Sequence, residues 1–242
     1  MTPKPYLVPL AVVLLAGAGG LAAAQVIAQQ GGYDPGQLPA FHGTVQQYDL
    51  TPRGDVDGVL LADGTEVHFP PHLGLQVTAA IRPGDAVTIR GLKARMLPLV
   101  QAMAITADKS GTTITDDGPP AGPPPRGPQE PPPPPGGPDM AGPPSTVSGI
   151  VKLRLHGPRA DFNGVLLDDG TELHLPPPEA DRLSDQLQPG RRITARGGLF
   201  ASGLGRVMGV SAIGPSADQL TAVAVGPPPP PPPGEPPPPP AP

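Results

Sequence analysis

The sequence predicts an all-β protein built from two small five-stranded barrels, each with one short helix, joined by a disordered proline-rich linker. Three observations carry this. DGVLLADGTEVHFPP, residues 57–71, returns as NGVLLDDGTELHLPP, residues 163–177, a spacing of 106 residues. That spacing holds without a gap from Gly43/Gly149 to Gly91/Gly197, with 21 identities among 49 aligned positions. Each copy also alternates apolar and polar residues around Asp-Gly and Pro-Gly turns, the signature of short strands.

Strand one begins in FHGTVQQYDL (41–50) and VSGIVKLRLH (147–156). The second alternates, placing Val151, Leu153 and Leu155 on one face and Lys152, Arg154 and His156 on the other. Asp63-Gly64 and Asp169-Gly170 stand between apolar runs, where a tight hairpin turn needs positive φ. In the returning strand Val67 and Phe69 face one way, Glu66 and His68 the other. Pro70-Pro71 ends it, because proline cannot donate a ladder hydrogen bond. Leu73, Val77 and Ile81, and in copy two Ala180, Leu183 and Leu187, fall at helical spacing. Pro83-Gly84 and Pro189-Gly190 are turns, with Pro presetting φ and Gly taking the left-handed position. AVTIRG and RITARG come next as strands, and LVQAMAI and VMGVSAI close the copies after a two-residue insertion in the second.

Strand, two-stranded hairpin, short helix and two further strands is the order of the OB-fold. The layout resembles the bacterial OB-fold families of exported proteins, in which G-x-V opens strand one, D-G-T sits in the hairpin and P-G-D precedes strand four. Here these are Gly43-Val45, Asp63-Gly64-Thr65 and Pro83-Gly84-Asp85, repeated as Gly149-Val151, Asp169-Gly170-Thr171 and Pro189-Gly190-Arg191. Arg191 departs from the pattern. The resemblance implies a fold and an exported setting; these turn and core signals carry no activity.

The N-terminus supports the same setting. Lys4 precedes an apolar run from Leu7 to Ala16, and Ala22-Ala23-Ala24 offers small residues for cleavage, so residues 1–24 read as a signal peptide. The other reading is an uncleaved anchor, the one route to the membrane. Its many Gly and Ala residues make a weak span, which favours cleavage. The expected localisation is periplasmic or secreted. The expected organisation is a first barrel at 38–110, a linker at 111–144, a second barrel at 145–216 and a proline-rich tail at 217–242. Of the 43 prolines, 14 lie in 119–144 and 13 in 227–242, outside any packed core. Polyproline II rises about 3.1 Å per residue, so the linker reads as a spacer.

Composition excludes several function classes. With no Cys there is neither a thiol nucleophile nor a disulfide, and neither a G-x-S-x-G elbow nor a glycine-rich phosphate loop occurs. A non-enzymatic binding or spacer protein, without cofactor, is the expectation. Two candidate sites remain. Lys152, Arg154, Arg192 and Arg196 on strands one and four of copy two would form a basic face for a polyanion, either an envelope ligand or nucleic acid. The net charge of −5 argues against nucleic acid, and the bland reading is a solvated strand face. Glu66 with His68, and Glu172 with His174, share hairpin faces and suit Zn²⁺ or Cu²⁺, with His72 just beyond in copy one. The alternative there is a polar, solvent-facing hairpin.

Overall fold

The computed structural model describes residues 34–118 and 142–224. The signal-peptide segment, most of the linker and the end of the tail lie outside the described residues.

The first barrel comprises β1 (Ala40–Leu50), β2 (Val56–Leu61), β3 (Glu66–His68), α1 (Gly74–Ala80), β4 (Ala86–Lys93) and β5 (Leu99–Ala107). β1 pairs antiparallel with β2 and β4, and β4 with β5, while β3 lies between β2 and β5. The parallel pairing of β3 with β5 closes the barrel. β6 (Thr112–Thr115) adds a hairpin to β5, so the first body runs past residue 110 into the sequence assigned to the linker. The second barrel repeats the plan with β7 (Pro144–His156), β8 (Phe162–Leu167), β9 (Thr171–His174), α2 (Pro177–Arg182), β10 (Arg192–Ser202) and β11 (Gly205–Gly214). It closes through parallel β9–β11 and antiparallel β10–β11 pairing. β12 (Thr221–Ala222) pairs with β11 inside the stretch assigned to the tail. Both bodies are OB-folds.

The cores obey the sequence pattern. Val45, Val59, Leu61, Val67, Ile89 and Ile105 fill the first barrel, and Val151, Val165, Leu167, Leu173, Ile193 and Ile213 fill the second. Leu73, Val77 and Ile81 plug the first barrel from the helix side, as Ala180, Leu183 and Leu187 plug the second. Gly64 and Gly170 take φ values of 86° and 83° in their hairpin turns. Gly84 and Gly190 take 94° and 86° after their prolines.

Strand one departs from simple alternation. β-Bulges break the register between Val45 and Gln47 in β1 and between Val151 and Leu153 in β7. An extra residue in a strand moves the residues beyond it to the opposite face. Val151 therefore points into its barrel, whereas Leu153 and Leu155 leave that core and pack with Leu60 and Leu166. This corrects the single apolar face expected of Val151, Leu153 and Leu155. The bulge also swings Tyr48 and Arg154 toward the helix end: the Tyr48 hydroxyl donates to the Ile81 carbonyl at 2.7 Å, and Arg154 Nη2 to the Ser184 carbonyl at 2.8 Å.

Candidate functional site at the barrel junction

Two cross-strand rows define the outer face of each hairpin. In the first barrel they are Gln47–Leu60–Glu66 and Asp49–Gly58–His68. In the second they are Leu153–Leu166–Glu172 and Leu155–Gly164–His174. Leu60, Leu155 and Leu166 from these rows form one buried cluster, so the two faces cover each other. Burying three leucine side chains in this way contributes several kcal/mol, at about 2 kcal/mol each.

The glutamates lock the faces together reciprocally. Glu66 accepts from the His156 backbone N–H at 2.6 Å and contacts His156 Nδ1 at 2.8 Å. Glu172 accepts from the Leu50 backbone N–H at 2.9 Å and from Gln47 Nε2 at 2.8 Å. His156 and Leu50 are themselves 106 residues apart, as are Glu172 and Glu66. Such reciprocity is the pattern of an isologous, near two-fold contact. The solvent-facing alternative for Glu66, His68 and Glu172 is therefore not what forms: these side chains lie under the other barrel, and all three residues are buried.

One further acidic residue enters the site that the sequence pattern does not single out. Asp49 stands where copy two has Leu155. It is buried, and its row partner Gly58 carries no side chain to separate it from His68. A Cβ at Gly58 would lie 2.8 Å from the Val67 carbonyl and 3.1 Å from Asp49 Oδ2, so the close approach requires glycine. Asp49 Oδ2 sits 3.7 Å from His68 Nδ1, and Glu66 Oε2 sits 4.0 Å from His68 Nε2. Both contacts are too long for hydrogen bonds. His68, only 3% exposed, has neither ring nitrogen in a well-formed hydrogen bond, with the His156 backbone near enough only to favour its charged form. On the other side His174 Nε2 lies 3.7 Å from Glu172 Oε2. The signal that could have found Asp49 is the mismatch between copies.

Electrostatics follow from crowding acids away from water. Burial, reinforced by Glu172, Asp57 and Glu66, holds the Asp49 carboxyl well above the usual carboxylate range. Burial also raises Asp57, at the start of β2, to about 6 despite the opposing pull of His174. Burial depresses His68, against the attraction of Glu66. Donor atoms of Asp49, Glu66 and His68 all lie within 4.8 Å of one another, and so do those of Asp49, Glu172 and His174. His72 stands apart, with Nε2 3.3 Å from Asp116 Oδ1. A cleft of about 300 Å³, lined by Pro52, Asp161, Asn163, His174 and Pro177, opens beside His174.

The basic face is only partly assembled. Lys152, Arg192 and Arg196 are exposed. β10 pairs Arg192 with Ile150 and Arg196 with Thr146, leaving Lys152 beyond the paired stretch. Arg154 is turned away from that face, half-buried with its guanidinium 4.6 Å over the Phe162 ring.

No protein-family model matches the chain, and neither does any curated protein. Among solved structures, a deletion mutant of the single-stranded DNA binding protein from Thermus aquaticus is similar over 78% of this chain and 95% of its own, at 11% identity. Its TM-score is 0.20.

Proposed function

We propose that this is an exported, non-enzymatic binding protein whose two interlocked barrels hold a divalent transition cation at their junction. One observation carries the reading: the buried imidazole of His68, with no well-formed hydrogen bond at either nitrogen, set between the carboxylates of Asp49 and Glu66. A buried polar ring without well-formed hydrogen bonds is costly, and a cation ligated by one of its nitrogens reduces that cost. Mixed imidazole and carboxylate donors suit Zn²⁺ or Cu²⁺ better than Mg²⁺ or Ca²⁺, which take oxygen ligands. Zinc–ligand bonds of about 2.1 Å place tetrahedral ligands roughly 3.4 Å apart. Asp49 and Glu66 approach opposite ring nitrogens of His68, at 3.7 Å from Nδ1 and 4.0 Å from Nε2. A cation therefore takes one nitrogen, and the donor atoms, within 4.8 Å of one another, draw together around it. Export is supported by the layout from Lys4 to Ala24, and a binding role by the want of a nucleophile motif.

The test is thermal unfolding of the full chain with Zn²⁺, Ca²⁺ or Mg²⁺. A ligand at a hundred times its Kd stabilises by about 2.7 kcal/mol. Zn²⁺ should raise the midpoint, the alkaline earths should not, and Asp49→Asn should abolish the effect. An unchanged midpoint with Zn²⁺ rejects the reading.

A further inference from the structure

We propose that the junction takes two cations bridged by Asp49, one occluded and one exchangeable; this rests on the metal-binding reading above. Asp49 belongs to both donor groups, with Glu66 and His68 from its own barrel and with Glu172 and His174 from the other. A carboxylate has two oxygens and can bridge. Glu66 and Glu172 thus flank Asp49 from the two barrels, so a bridging Asp49 gives each cation an imidazole and two carboxylate oxygens.

The two positions differ in access. Glu66 and His68 are 1% and 3% exposed, so a cation there leaves only when the barrels part. The His174 side chain is 11% exposed and borders the 300 Å³ cleft. Beside it in that cleft Asn163, whose Oδ1 has no hydrogen-bond partner, offers a further oxygen. A cation at Glu172 and His174 therefore exchanges with water or with a small chelating anion without opening the junction. The occluded ion fastens the barrels, and the outer one is the deliverable cargo.

The experiment loads the full chain with Zn²⁺, removes excess, and monitors transfer to a chromophoric chelator. Two equivalents should be released in two phases whose rates differ at least tenfold. His174→Ala should leave one equivalent, released slowly; His68→Ala should leave one, released fast. A single equivalent abolished by either substitution would overturn the bridged pair while leaving metal binding intact. Two equivalents leaving at one rate would overturn the unequal access, and none would reject both readings. Should His68→Ala fail to fold by circular dichroism, the wild-type stoichiometry and phases decide alone.

Discussion

Replacing Asp57 with Asn should stabilise the metal-free protein by an amount that grows as pH rises from about 3 to about 7. The Asp57 carboxyl ordinarily titrates near 3.8 and is raised by burial to about 6 in the fold. The folded chain therefore holds that proton more tightly than the unfolded chain does. Below about pH 3 both states are protonated and the residue is neutral in the balance. As pH rises toward 6 the unfolded carboxyl ionises freely while the folded one resists. A penalty then accumulates and stays constant at higher pH. Holding the proton to about 6 instead of 3.8 corresponds to about 3 kcal/mol, which partial exposure reduces to about 2. Asn has nearly the same shape and no charge, and copy two already carries Asn163 at the matching position. Urea unfolding in the presence of EDTA at pH 3.0, 5.0 and 7.5 measures the difference. The variant should match wild type at the lowest pH and exceed it by about 2 kcal/mol at the highest. A gain independent of pH, or a loss at 7.5, would refute the assignment of a raised carboxyl at this place.

Three further outcomes are expected from the same geometry. Leu166→Ala removes a fully buried side chain from the leucine cluster between the barrels and should cost about 3 kcal/mol in chemical unfolding. Gly54 has φ of 85° and a Cβ there would lie 2.2 Å from the Phe200 ring, so Gly54→Ala should displace the β10–β11 tip; faster amide exchange at 199–206 would show it. On heparin, Arg192→Ser with Arg196→Ser should weaken any retention and its salt dependence. Arg154→Ala should leave retention unchanged, because its guanidinium covers Phe162 instead of facing solvent.

The barrels are legible in the sequence because their signals are local. Asp-Gly turns, the Pro-Gly turns and helical spacing at Leu73, Val77 and Ile81 each act within a few residues. The junction is not, because the strands that bury Glu66 and His68 lie about a hundred residues away. A period-2 pattern reports that the two side chains share a face and is silent about what covers it. The bulges are equally hidden: the alternation VKLRLH at 151–156 reads as one clean strand, and only pairing with β8 shows the step between Val151 and Leu153. Asp49 escapes notice for a similar reason, since a single Asp in a strand looks solvated until its neighbours are known.

The two-residue lengthening of the β10–β11 hairpin and the exchange of Asp49 for Leu155 have a common consequence. In a symmetric pair of separate chains every residue occurs twice, so a single acid near the axis would always face its own copy. Linking the copies in one polypeptide removes that obligation. One half can then supply the acid, Asp49, while the other supplies the apolar mate, Leu155, and the long hairpin that lays Phe200 and Val207 against the first barrel. An acid at the centre without a symmetry mate is open to a tandem protein and closed to a homodimer.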